Sequence, residues 1–564
     1  MSELEPETIP APDADPDVDP DVDPDVDPDV DPDVDPDVDP AVDPADAPPR
    51  RRRWLRLDGV ELPILIIWIS FAVALSALQP GHFWGDDFAL YIRQGEGLVH
   101  FDTARVIRDI HYTVEWSRAK GFSPDVYPWG TSILLAIPLA LFGRDIMALK
   151  FTMAAAFAIG AGAWFSLARR RLPLAAALGS TACFTLSLPM VRWVDVVGSD
   201  LPYLAITGLC LATLARWLSR GPITTRQAIG LGALGAAAFS FRNEGLGITA
   251  ALLLGIGASH LFTATRTTWR PVLRLASIRA AIAGGVAIGI TFVLQLFLPY
   301  DMLPSYKGSG PGRITANWSA YVRAVTDQFG FYNGSKRRFE AFGHPALGTT
   351  LLCVFLILLA FGVARMVLRH DVMDIVLLFT GLIHAYTALT FFVPSNRYAY
   401  VTVAVMFIAV AQGATVLVSG ITRWFRSGDG GRKRKVAAAL MFGLIAVFPA
   451  AQISPYRKLV VYAAAARDAD RPLPGPYEDQ SIEMYAAVLR YTTADDVILC
   501  LKPRAMTLFT NRSSVKIIGG AAAPEVATYM AVQETSSGKL NDVPHGSTDL
   551  WSNSIWHLLR LPKG

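Results

Sequence analysis

Four places in this chain put charged side chains where long apolar runs give way to polar sequence. The first is "HFWGDDFALYIRQG", starting at His82, which sets Asp86 and Asp87 side by side. Adjacent carboxylates repel each other, and burial raises that cost. A carboxylate held at such a boundary can deprotonate a hydroxyl or an amine. It can equally open a helix, since "DDFALYIRQG" has acids at its start and Gly at its end. The second place is "MVRWVDVVGSDLPYL", with Arg192, Asp195 and Asp200. Asp200 precedes an apolar run and has a capping role open to it, whereas Asp195 has no such local duty and is the better functional candidate. The third is Arg242-Asn243-Glu244, set between two apolar runs, where a guanidinium is costly unless it is paired or faces a wet cavity. A salt bridge to Glu244 would account for it. The fourth is Arg397 in "PSNRYAY", beside Tyr398 and Tyr400. It reads as an interfacial anchor or, like Arg242, as a bidentate grip on a phosphate. His82 and His111 could join the aspartates around a divalent metal, but their spacing is not diagnostic, and a lone interfacial His is more often structural.

The elements that must position these groups are membrane spans. Of the 564 residues, 52% are apolar, and runs such as "LPILIIWISFAVALSAL" (62–78) and "LLCVFLILLAFGVA" (351–364) recur along most of the chain. With their flanks they are long enough to cross a hydrocarbon layer of roughly 30 Å. The net charge of +2 conceals a contrast: residues 1–50 hold nineteen acidic groups and one basic one, leaving 50 basic against 30 acidic groups beyond them. Those basic residues cluster between the apolar runs, as cytoplasmic loops do under the positive-inside rule. The clusters are short and separated by spans, which argues against a nucleic-acid partner.

The "DPDVDPDVDPDV" repeat in residues 1–50 repels itself and carries a proline every fourth residue, so it reads as a disordered acidic tail. It lacks the glycines and the Glu of a calcium loop. "RRRWLR" (51–56) is an inside-facing anchor that makes the first run a retained span, not a signal peptide. Three of the four cysteines lie in apolar runs, Cys500 stands alone, and no CxxC spacing exists, so neither a disulfide framework nor a zinc site is indicated.

Following the basic clusters gives an all-α polytopic membrane protein with about 11–13 transmembrane helices, its membrane domain spanning 51–452. "TSILLAIPLALFG" is expected to be a half-helix or re-entrant element, because Arg169-Arg170-Arg171 requires one net crossing over 129–168. Residues 266–279 read as an inside connector before a span at 280–298. Polar loops at 81–128 and 299–345 fall outside, and loops of that length are usually functional. A last span at 436–452 sends 453–564 outside as a small α/β segment, with "VILCL" as a strand between two helical stretches. In this topology Asp86, Asp87, Asp195, Asp200, Arg242, Glu244 and Arg397 share the outer face.

The order of these motifs resembles the GT-C superfamily of membrane glycosyltransferases. The similarity is to the bacterial branch related to dolichyl-phosphate-mannose protein mannosyltransferases and the aminoarabinose transferase of lipid A. "GDDFALY" follows the first span, "YPWGTSILLAIPLALFG" matches the place of a Tyr-Pro-Pro segment, Asp195 lies in a second outer loop, "FRNEG" and "SNRYAY" fill later positions, and "KPRAMTLFTNR" stands in the soluble tail. The family's acidic pair is Asp-Glu with Tyr four residues after the Asp, so Tyr91 points to Asp87 while the Asp-Asp pair itself points to Asp86.

The resemblance implies transfer of a sugar from a polyprenyl-phosphate donor to a lipid, cell-wall glycan or protein acceptor at the outer face of the cytoplasmic membrane, with the N-terminus inside. It implies Asp86 or Asp87 as base with inversion, and Asp195 orienting the acceptor or sharing that role. Arg242 and Arg397 would sit on the donor phosphate, and Tyr91, Arg192, Asp200, Glu244 and Tyr398 around the substrates. Some relatives use a divalent metal and others do not, so the cofactor stays open. A transporter or flippase of lipid-linked saccharides is the competing reading, and a membrane scaffold a weaker third.

Overall fold

The computed structural model describes residues 61–85, 87–117, 126–262, 269–302, 309–333, 336–337, 345–391, 395–424, 430–516, 526–534, 540 and 543–562. The acidic repeat, "RRRWLR" and Asp86 lie outside the described residues.

The chain opens with α1 (Glu61–Ser76), followed by α2 (Asp87–Val99) and α3 (Thr103–Ser117) within the expected 81–128 loop. That stretch has no long apolar run, but its buried residues recur at helical spacing, as Val106, Ile110, Thr113 and Ser117 do in α3. α4 (Gly130–Phe142) lies against α2, where Leu139 closes over Gly95. Its two ends sit at the same end of the bundle. Trp129 donates to the Pro299 carbonyl, and just past the helix Arg144 pairs with Glu96. α5 (Ile146–Arg171) then makes the crossing alone and ends on Arg169, Arg170 and Arg171.

Seven helices among the described residues are long and apolar enough to cross a membrane. They include α5, α8 (Asp200–Leu218), α11 (Trp269–Phe297), α13 (Pro345–Leu368), α14 (Val372–Thr390), α15 (Tyr400–Trp424) and α16 (Gly430–Asp468). Four shorter apolar helices join them: α1, α4, α6 (Leu174–Thr185) and α10 (Gly245–Leu261). α9 (Thr225–Phe241) pairs with α10 across a tight turn. Ile288, Phe292, Leu296 and Phe297 on α11 are exposed and form an apolar surface of the kind a membrane span presents to lipid.

Two expectations about span edges change. α11 begins at Trp269 and absorbs most of the expected 266–279 connector. Arg270 and Arg274 are one helical turn apart there, so the segment is a basic extension of the span. α16 runs unbroken past residue 452 to Asp468, carrying Pro449 and Pro455 within it.

Arg171 marks the basic end, bonding Asp371 at 2.9 Å and the buried Asp374 at 2.7 Å. α13 and α15 meet over bare backbone: a Cβ on Gly362 would strike the Ala409 carbonyl, and one on Gly413 the Leu358 carbonyl. Such small-residue seams let membrane helices approach closely. This one fixes α15, whose far end carries Arg397.

The C-terminal segment holds a five-stranded sheet in the order β4-β3-β5-β7-β6, made of β3 (Val497–Cys500), β4 (Ser513–Lys516), β5 (Tyr529–Gln533), β6 (Thr548–Ser552) and β7 (Trp556–Arg560). A short hairpin, β1 (Tyr332–Asn333) and β2 (Lys336–Arg337), follows α12 (Ile314–Gln328). In the large sheet β3 runs parallel to β4 and β5, and the other pairs are antiparallel. One face packs on Met484 and Val488 of α17 (Asp479–Tyr491) and Met506 of α18 (Pro503–Thr510). The other, with Leu499, Val515 and Met530, receives Tyr112 from α3. Cys183, Cys210 and Cys500 are buried and Cys353 is exposed.

Candidate active site

Asp87 is the first residue of α2, with its carboxylate at the helix's positive end. Tyr127, in the connection before α4, donates to its Oδ1 at 2.7 Å, and Arg397 donates to its Oδ2 at 3.1 Å. Arg397 belongs to a 3-10 turn, Asn396–Ala399, that leads into α15. The same guanidinium lies 3.8 Å from Asp200 Oδ2 at the start of α8. Asp200 also accepts from Trp193 Nε1, the last residue of α7 (Leu188–Trp193), and from Arg242. Arg242, at the turn between α9 and α10, grips Glu244 through two parallel hydrogen bonds of 3.1 and 2.8 Å. Three carboxylates and two guanidiniums thus form one continuous chain across α2, α8, the α9–α10 turn and the start of α15.

Aromatic rings hold the cations in place. The Tyr398 ring lies 5.4 Å from the Arg242 guanidinium and 5.1 Å from that of Arg397, and Trp193 flanks Arg397 at 5.7 Å. Ring faces attract cations, so one tyrosine sets both guanidiniums over a common surface. Tyr91, one turn beyond Asp87, is buried with its ring 5.2 Å from that of Tyr127.

The charges set the protonation states. Burial pushes the Asp87 carboxyl up, but Arg397, the Tyr127 hydroxyl and the Arg504 charge outweigh it and hold the group below its ordinary value. For Glu244 burial again raises the value, but Arg242 brings it down to about 2. Burial and then the Asp87 charge push the Tyr127 phenol well up, so it stays protonated and donates.

Placement of the other expected residues differs. Asp195 does not reach this chain. It is buried, accepting from Gln79 N at 2.9 Å, Gln79 Nε2 at 3.1 Å and Lys150 Nζ at 2.8 Å. Lys150, itself fully buried, also bonds the Gln79 carbonyl. Asp200, for which a cap and a place beside the substrates were both open, is the first residue of α8 and lies in the charged chain. The reason is position: Asp195 falls beside Gln79 and Lys150, whereas Asp200, equally buried, heads α8 beside Arg242 and Arg397. Arg192 is exposed on α7. His82 is a structural residue: its Nδ1 faces the Phe83 carbonyl, its Nε2 accepts from Val197 N, and burial pushes it down to about 3. His111 is exposed on α3. Among the described residues no three His, Cys, Asp or Glu side chains gather as a metal site.

Three contributors were not among the sequence candidates. Trp193 lies within "MVRWVDVVGSDLPYL" and Tyr127 opens "YPWGTSILLAIPLALFG", but neither side chain stands out there. Arg504 lies in the first turn of α18 and donates to the Tyr127 hydroxyl at 3.3 Å. A lone Arg just after Pro503, heading the compact apolar "AMTLF" stretch, was the signal available for it.

No protein-family model matches the sequence, and neither does any curated protein sequence. Solved structures do match. ArnT from Cupriavidus metallidurans in the apo state superposes with a TM-score of 0.52 at 10% identity, over 89% of this chain and 98% of that one. The same protein bound to undecaprenyl phosphate gives 0.50 at 9% identity, over 90% and 98%. Archaeal oligosaccharyltransferase AglB from Archaeoglobus fulgidus, in complex with an inhibitory peptide and a dolichol-phosphate, gives 0.54 at 12% identity, over 87% and 76%. At these identities the likeness is one of fold alone.

Proposed function

We propose that this GT-C-fold protein is an inverting glycosyltransferase that moves a sugar from a polyprenyl-phosphate carrier to a lipid, glycan or protein acceptor. The observation that carries the reading is the paired guanidiniums of Arg242 and Arg397, stacked on one tyrosine beside Asp87 at the end of an apolar bundle. That arrangement suits an amphipathic donor, whose phosphate needs cations at the interface while its tail lies among spans. The bound polyprenyl phosphates named for the two fold neighbours support the same donor class. Basic residues at the opposite end favour a site outside the cytoplasm under the positive-inside rule, with the N-terminus inside. In this reading the acceptor lipid, glycan or protein approaches from outside, and the membrane is the cytoplasmic one.

The chemistry follows from the charge balance. As the acceptor oxygen or nitrogen bonds to the anomeric carbon, the bond from that carbon to the phosphate oxygen breaks. The acceptor proton passes to Asp87, and the carrier phosphate leaves with its charge on Arg242 and Arg397. Before the donor binds, Asp87 is itself paired with Arg397 and is a weak base. The donor's phosphodiester carries one negative charge, as the carboxylate does, and competes for that guanidinium. Its arrival releases Asp87 and lets its value rise toward the ordinary range, so the base is strengthened by its own substrate.

The test uses the full chain in nanodiscs, given a synthetic short-chain polyprenyl-phosphate sugar and envelope extract as acceptor. Release of sugar-free polyprenyl phosphate, absent with Asp87→Asn, supports the reading. Equal release by wild type and variant overturns it. Movement of intact donor across vesicles without bond cleavage would favour the transporter instead.

A further inference from the structure

The C-terminal segment reaches into the charged chain at one point. Arg504, buried in the first turn of α18, donates from Nη1 to the Tyr127 hydroxyl at 3.3 Å, with its guanidinium 5.1 Å from the Tyr127 ring. Tyr127 in turn donates to Asp87 Oδ1 at 2.7 Å. A guanidinium has donors and no acceptor, whereas a phenol has one proton and two lone pairs. Arg504 therefore occupies a lone pair of Tyr127 and leaves its proton nowhere to point but Asp87.

α18 is braced for this task. Near its far end Arg93 bonds the Thr507 carbonyl at 3.1 Å and Asn511 at 3.4 Å, while Arg144 bonds the Leu508 carbonyl. Arg93 and Glu96, the partner of Arg144, both lie on α2, the helix that starts with Asp87. Cations at the carbonyl end of a helix complement its dipole. The helix presenting Arg504 and the helix presenting Asp87 are thus fastened at two separate places.

We propose that Arg504 is a positioning residue for the reaction: acting through Tyr127, it fixes the Asp87 carboxylate in its reactive orientation and makes the C-terminal segment part of the active site. This rests on the assignment of Asp87 as the base. The charged and titratable groups facing Asp87 are Arg397 from the turn before α15, Tyr127 from the connection before α4, Arg504 from α18 and Tyr91 on α2 itself. Removing the Arg504 cation leaves Asp87 with less opposing charge, so the acid limb of the rate profile moves to higher pH.

The experiment compares wild type, Arg504→Gln, Arg504→Lys, Tyr127→Phe and the Arg504→Gln/Tyr127→Phe pair, as full chains in nanodiscs. Arg504→Gln is expected to lower kcat roughly tenfold, the worth of one charged hydrogen bond, with donor KM changed less than about twofold. Its acid limb moves upward in pH, and Arg504→Lys recovers part of the rate. In the Tyr127→Phe background, Arg504→Gln changes kcat by less than about twofold, because residues acting in series are not additive. Independent, multiplying losses, or an unmoved pH profile, overturn the proposal. A second readout does not need turnover. With 3-fluorotyrosine in place of Tyr127, the fluorine resonance is expected to shift in both Arg504→Gln and Asp87→Asn and to stay near wild type in Arg504→Lys. An unshifted resonance in Arg504→Gln overturns the relay. Absence of transfer by wild type, with the shifts present, counts against the glycosyltransferase reading and leaves the relay standing.

Discussion

Asp195, in the short connection between α7 and α8, and Asp200, which heads α8, end in opposite chemical settings. Asp195 is sealed among Gln79 and Lys150, with both carboxylate oxygens taken by donors that nothing else can reach. Asp200, equally buried, shares Arg397 and Arg242 with Asp87 and Glu244, and it is these four partners that keep part of their surface open. Each setting balances acid against base, so net charge does not tell them apart. The difference is whether a new anion can enter. The Lys150 pair holds the ends of helices together, whereas the Arg242–Arg397 chain can exchange one anion for another.

The largest effect should separate the two regions by readout. Asp87→Asn is expected to reduce transfer by roughly 10² to 10⁴-fold, the usual worth of a general base, with melting unchanged. Asp195→Asn should do the reverse. Stranding buried Lys150 should cost about 3–5 kcal/mol of stability, visible as a lower melting temperature and yield. Replacing the pair together, as Asp195→Leu with Lys150→Met, should recover most of that loss, since a well-packed apolar pair removes the stranded charge. If the double variant folds well and transfer disappears, Asp195 has a chemical role and the contrast fails.

A smaller effect tests the open region by pH. Glu244 titrates in the folded chain at about 2 against an ordinary 4.5, so its contribution is full above about 4.5 and is lost as pH falls toward 2. Melting of wild type and Glu244→Gln should therefore differ at neutral pH, by up to roughly 3 kcal/mol on the pKa-to-energy conversion, and converge in acid. A gap independent of pH would mean that the ion pair is not what Glu244 supplies. The smallest effect is expected at Arg192. Its exposed side chain makes Arg192→Ala neutral to within about 0.5 kcal/mol and leaves donor affinity unchanged.

The contrast also explains what could be read from the sequence. The bundle was legible because apolar runs and basic clusters follow from the solvent on either side of each residue. The α/β segment was legible because "VILCL" and its helical flanks carry their own periods. Asp87, Arg242 and Arg397 were conspicuous for a related reason: charge at the end of an apolar run demands a partner. What spacing does not encode is which partner. Asp195 and Asp200 share a local setting, and their fates depend on Lys150 from α5 and Arg242 from the α9–α10 turn. Arg504 was less visible still, because the Tyr127 it serves is 377 residues away.

That separation bears on how the protein is made. α2, with Asp87, is among the first elements to leave the ribosome, while Arg397 follows near the end of the membrane bundle and α18 among the last helices of all. A partly synthesised chain therefore carries an acid with no oriented partner, and the site closes only when α18 seats against α2. A chain cut short after α16 would lack Arg504 and with it the hydrogen bond to Tyr127.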